Sequence, residues 1–126
     1  MPEKYVKKGD PYYSSCIKTT KLIANKLFLN KSQYTSSFHS RFGFGKWTKP
    51  YTEKLLRELP KKGIKKINII SPTFSIDCLE TLEEINIQFK EIFFNAGGKE
   101  FNYIKCLNDS NDHEKIIKFL KKKYIK

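Results

Sequence analysis

The feature that most constrains this chain is a strand-helix-strand pattern in its second half. A compact apolar run, Ile67, Ile69 and Ile70, stops at Ser71 and Pro72, and a second run occupies residues 101–107. Between them, Leu82, Ile85, Phe89, Ile92 and Phe93 fall at i, i+3, i+7, i+10 and i+11, and the segment 78–95 that carries them closes on Ala96, Gly97 and Gly98. That is the apolar stripe of an amphipathic helix followed by a glycine stop. The rest of the chain extends the alternation. Residues 12–29 carry Ile17, Leu22, Ile23, Leu27 and Leu29 at broadly helical spacing behind Asp10 and Pro11, a cap and first-turn pair. Residues 34–39 read as a short strand, 51–59 as a helix ended by Pro60 and Gly63, and 109–124 as a terminal basic helix. The predicted order is α-β-α-β-α-β-α. Alternation with connections of this length predicts an α/β fold, a parallel sheet with helices on both faces.

With 126 residues, 39% of them hydrophobic, the chain has material for one core rather than two. The longest uncharged run, residues 67–76, is interrupted by Asn68, Ser71, Thr73 and Ser75 and is far short of the roughly 20 apolar residues of a membrane span. The basic N-terminus lacks a following apolar stretch and a small-residue cleavage site, so a cytoplasmic protein is expected. Cys16, Cys78 and Cys106 are scattered, without a C-x-x-C pair, and read as reduced thiols packed as small hydrophobes.

The net charge of +12 invites a nucleic-acid reading. The densest basic cluster, Lys115, Lys118, Lys121, Lys122, Lys123 and Lys126, shares a helix with Ile116, Ile117, Phe119, Leu120 and Tyr124. An amphipathic helix with solvated lysines and an inward apolar face accounts for it without a ligand.

In parallel α/β sheets, ligands sit beyond the carboxyl ends of the strands. The loop after the first predicted strand carries Arg41, Phe42, Phe44 and Trp47 among glycines, and the loop after the second holds Phe74 and leads into Asp77, Glu80, Glu83 and Glu84. One loop offers flat apolar faces, the other anionic oxygen. Glu80 and Glu84 are four apart and share a helix face. Carboxylates so crowded are expected to raise at least one pKa, giving a proton acceptor near neutral pH and an oxygen ligand for a hard or borderline divalent cation. A helix N-terminus that favours acidic residues is the competing account.

Several ordered blocks carry a family resemblance. They are Ser40, Arg41, Phe42 and Gly43 with Trp47, Pro50, Tyr51 and Thr52; Pro72, Phe74 and the run from Asp77 to Ile85; Ala96, Gly97 and Gly98; and Cys106, Leu107 and Asn108. Together with the opening Met1, Pro2, Tyr5 and the run from Gly9 to Tyr12, they resemble the C-terminal part of a ferrochelatase. The resemblance implies a flavodoxin-like lobe of a longer two-lobed enzyme that inserts ferrous iron, a substrate, into protoporphyrin IX without an organic cofactor. It implies Glu80, Glu84 and Asp77 as catalytic acids, with Glu80 also the metal-facing group. It implies Trp47 and Phe74 as porphyrin-lining residues and Ser40 as a propionate-side contact, to which Arg41 is expected to add charge. Bending the macrocycle so that iron can enter, and removing its pyrrole protons, needs such a set of walls and acids.

The chain departs from the family pattern at His39, where glutamine is common, and it starts at the last two positions of the segment that carries the family's catalytic histidine. The expected partners are therefore a porphyrin and the missing N-terminal lobe with that histidine, leaving room for peripheral membrane association and none for nucleic acid. Without the first strand of the lobe, residues 34–39 are expected to lack a pairing neighbour, and the isolated chain to fold poorly and show little activity. The alternatives are a porphyrin-binding half-protein without chelatase activity and a basic nucleic-acid-binding module.

Overall fold

A computed structural model describes residues 1–39 and 45–125. In chain order it contains α1 (Glu3–Lys7), α2 (Tyr12–Lys26), α3 (Thr52–Glu58), a 3-10 turn (Pro60–Lys62), β1 (Lys66–Ile70), a π-helix (Glu80–Phe89) continuing into α4 (Lys90–Asn95), β2 (Glu100–Ile104) and α5 (Asn111–Tyr124). The α/β class holds. β1 and β2 pair in parallel, with Ile67 opposite Phe101 and Ile69 opposite Tyr103. The strand-helix-strand unit read from the apolar pattern is thus the centre of the molecule.

Its core is one-sided. Ile67, Ile69, Phe101 and Tyr103 point to the same face of the sheet, where Leu56 of α3, Ile85 and Phe89 of the π-helix and Phe93 of α4 close over them. Phe93 is completely buried. A Cβ on Gly98 would stand 2.3 Å from the Phe93 ring, so the second glycine of the helix stop is there for close approach rather than for flexibility. Gly97, at φ 104°, supplies the left-handed turn before it.

The structure differs from the sequence expectation in three places. Residues 34–37 form no strand, and Phe38 makes a single parallel bridge to Tyr51. Its N–H donates to the Pro50 carbonyl at 2.9 Å and its carbonyl accepts from Thr52 N–H at 3.1 Å, so this segment docks on the start of α3 rather than on β1. The sheet accordingly has two strands among the described residues. Helical cover lies on one face: Asn68, Ile70, Asn102 and Ile104 on the other are exposed. The expected inward face of α5 is also in solvent, with Ile117 56% and Phe119 61% exposed. Periodicity marks a face as apolar, but burial needs a second surface to meet it.

The third difference is the helix type over Glu80–Phe89. Buried positions run Thr81, Ile85, Phe89 and Phe93, one every four residues, while Leu82 of the expected stripe is 48% exposed. In the wider π turn three residues cover only about two-thirds of a turn, which rotates Leu82 away from Ile85. The N-cap of α2 is Pro11, one residue after the expected Asp10, whose Oδ1 accepts from Tyr12 N–H at 2.8 Å just before the helix. All three cysteines are free. No helix among the described residues is long and apolar enough to cross a membrane.

Candidate functional site

The π-helix starts at the carboxyl end of β1 and carries its acids on two sides. Glu83 is exposed, whereas Glu80 and Glu84 are half-buried, and Glu84 lines a cleft toward residues 38–39 and the start of α3. Four residues make nearly one full π turn, so the pair keeps the common face expected of it.

Glu84 opens on a cleft of about 170 Å³ whose walls include His39, Tyr51, Thr52, Glu53 and Phe89. His39 Nδ1 lies 3.3 Å from Glu84 Oε2, with the two side chains 16% and 28% exposed. A carboxylate only accepts, so Nδ1 carries the hydrogen. The imidazole touches two aromatic rings, stacked on Phe74 at 6.1 Å and edge-on to Phe89 at 6.0 Å. Three parts of the chain thus meet at one imidazole: the loop after β1, the π-helix and the segment before α3. His39, which the sequence marks as a departure from the family pattern, is the joint of the cleft.

Glu80 sits one turn before Glu84. Its pKa is held below the ordinary carboxylate value, first by a hydrogen bond with Cys78, then by its own backbone N–H, with the nearby charge of His39 adding to the effect. Asp77, the first acid of the block, has a different environment. Its Oδ1 accepts from Tyr103 Oη at 2.6 Å and Thr81 Oγ1 at 2.9 Å, and its Oδ2 from Asn108 Nδ2 at 2.7 Å. These donors, Tyr103 foremost, hold its carboxyl far below the usual range. Tyr103 moves the other way: burial and the bond to Asp77 push its phenol up. Where the structure shifts a carboxyl pKa in the block Asp77, Glu80, Glu83 and Glu84, it shifts it down. The expectation of a raised pKa counted the neighbouring carboxylates but not the donors that tertiary contacts bring to them.

Trp47 is half-buried and its backbone makes an antiparallel bridge to Pro2, while its carbonyl accepts from the Tyr51 hydroxyl at 3.3 Å. It therefore stands one hydrogen bond from a residue of the cleft wall. Ser40 and Arg41 lie outside the described residues. Among the described residues, no group of three or more His, Cys, Asp or Glu side chains is arranged to hold a metal ion. Sequence reasoning gave no role to Tyr103, Thr81 or Asn108. Asn108 alone carried a local signal, an asparagine in a polar turn, and it adopts the left-handed conformation at φ 52°.

A family model described as Ferrochelatase matches residues 1–124. The chain belongs to the ferrochelatase family. It is 47% identical over 125 residues to Ferrochelatase 2 of Shewanella oneidensis, covering 99% of this chain and 38% of that protein. It is 50% identical over 113 residues to the Ferrochelatase of Marinobacter nauticus, covering 90% of this chain and 30% of the relative. With the Ferrochelatase of Vibrio cholerae it shares 46% over 122 residues, covering 97% and 38%. The chain therefore spans between about a third and two-fifths of the ferrochelatases it matches.

Proposed function

We propose that this chain supplies the acid-bearing part of a ferrochelatase that inserts ferrous iron into protoporphyrin IX to form haem. The observation that carries the reading is the cleft at the carboxyl end of the sheet. There Glu84 meets an imidazole in contact with Phe74 and Phe89, and Glu80 projects one turn earlier from the same helix. Insertion replaces two pyrrole protons by one divalent metal, so the site must bend the ring and accept protons. In this reading Phe74 and Trp47 grip the macrocycle, and Ser40 and Arg41 meet a propionate. Glu80, ionised well below neutral pH, faces the incoming iron and takes the two pyrrole protons one after the other as they are displaced, and Glu84 with His39 carries each away before the next is taken. Iron is a substrate throughout, and no organic cofactor is needed.

The reading assigns the remaining catalytic group, a histidine, to the other lobe found in longer relatives, and little chelatase activity to the chain by itself. It also carries a cytoplasmic location and peripheral membrane association, which fractionation at low and high salt distinguishes. A second reading, porphyrin binding without metallation, needs only the aromatic walls and not the acids.

The test is zinc insertion into protoporphyrin, followed by absorbance, in the protein as its own cell makes it. Glu80→Gln is expected to lower turnover by about 10²- to 10⁴-fold, the usual range for a positioned acid-base group. Unchanged turnover in that variant removes Glu80 from its role. Tight porphyrin binding with no zinc uptake by the unaltered protein selects the second reading.

A further inference from the structure

The acidic helix begins in a knot of side chains that the chemistry of metal insertion does not call for. Asn108, in the loop after β2, makes a reciprocal pair with Asp77: its Oδ1 accepts from Asp77 N–H and its Nδ2 donates to Asp77 Oδ2, both at 2.7 Å. A single amide thereby fixes both the peptide and the side chain of one residue. Tyr103 Oη, from β2 itself, donates to Asp77 Oδ1 at 2.6 Å. Thr81 Oγ1 donates to the same oxygen at 2.9 Å and accepts from Cys78 N–H at 2.9 Å, and Thr81 has no exposed surface.

The chain of bonds therefore runs from the β2 side of the molecule, through Asp77 and Thr81, to Cys78. Glu80 lies between Cys78 and Thr81, and Thr81 N–H donates to the Cys78 carbonyl at 3.1 Å, closing the turn that carries it. Asn108 is itself held: its N–H donates to the Ser75 carbonyl at 3.0 Å, and its left-handed backbone is one that asparagine tolerates. The two loops at the carboxyl ends of β1 and β2 are laced together at this point, and the first turn of the acidic helix has no freedom to rotate independently of the sheet.

We propose that Asn108 and Tyr103 are positioning residues, acting through Asp77 to hold the helix turn that carries Glu80. The proposal rests on the ferrochelatase reading for what Glu80 does there, and not for how the turn is held. Asp77 is on this account an anchor: with both oxygens occupied by donors, it is a poor proton acceptor. Partners that orient a reacting group without touching substrate commonly change its efficiency by about 10- to 100-fold.

The test has one arm that needs no substrate. Asn108→Gly removes both side-chain bonds while keeping a residue at ease in the left-handed region. In amide hydrogen exchange on the chain, the Cys78 and Thr81 amides, which do not touch Asn108, are expected to exchange at least about tenfold faster while those of α4 keep their protection. Faster exchange at Asp77 alone, or a uniform rise that includes α4, overturns the proposal.

The second arm is zinc insertion into protoporphyrin by the protein as its cell makes it. Asn108→Gly and Tyr103→Phe are each expected to lower kcat by about 10- to 100-fold with KM for the porphyrin changed less than about twofold. In a Glu80→Gln background the same changes are expected to cost less than about twofold, because they act through Glu80. Equal losses in both backgrounds overturn the proposal. If the unaltered protein binds porphyrin but takes up no zinc, the ferrochelatase reading fails, and the exchange result alone decides whether Asn108 positions the turn.

Discussion

The two ends of one acidic segment behave in opposite ways. At its start, Asp77 is surrounded by donors from Tyr103, Thr81 and Asn108 at 2.6–2.9 Å and is tied to the end of β2. At the cleft, Glu84 meets a histidine at 3.3 Å across a polar opening. The residue type is nearly the same, although Asp77 precedes the helix and Glu84 lies within it. The number and direction of donors differ: Asp77 has both oxygens occupied by donors from other segments, whereas Glu84 faces one imidazole at the edge of a cleft.

The largest effect that would sharpen this contrast is the loss of turnover in Glu80→Gln, which should leave the thermal melt in place. A melt that drops along with turnover would put Glu80 on the structural side of the divide. Asp77→Ala should do the reverse, lowering stability by about 1–3 kcal/mol in urea denaturation because the Tyr103 hydroxyl and the Asn108 amide lose their acceptor.

Acid titration gives a smaller and more specific signal. The Asp77 carboxyl is depressed below its ordinary 3.8, so the stability it contributes is fully present above that value and fades as the pH falls toward its folded pKa. The unaltered chain should therefore lose stability below about pH 4 more steeply than Asp77→Asn. Parallel curves would show that the donors around Asp77 contribute nothing to folding. The smallest expected change is Glu84→Gln, at about 1 kcal/mol or less, since a part-exposed pair gains little from its Coulomb attraction. A penalty as large as that of Asp77→Ala would erase the distinction between the two ends.

Much of this molecule is local and legible without coordinates. The apolar runs at 66–70 and 101–107 that mark β1 and β2, the helix between them and the glycine stop are all local patterns, although β2 ends at Ile104, before the end of its run. The common face of Glu80 and Glu84 is local too. The π turn was not legible, because the same apolar residues serve either helix type and packing against Leu56 and Phe101 selects between them. Nor was the fate of residues 34–39: their β-branched and aromatic character favours extended backbone, but the start of α3 took the bonds of Phe38.

The candidate site divides along the same line. Sequence by itself determined which acids and aromatics stand at the carboxyl end of a parallel pair, because spacing and strand direction are properties of consecutive residues. Only the tertiary structure decided that His39 joins Glu84, Phe74 and Phe89, and that Asn108, 31 positions from Asp77, closes the knot at the helix start. Tyr103 and Asn108, which hold Asp77, and His39, which meets Glu84, come from distant segments, and hydrogen bonds act over about 3 Å in space whatever the separation along the chain.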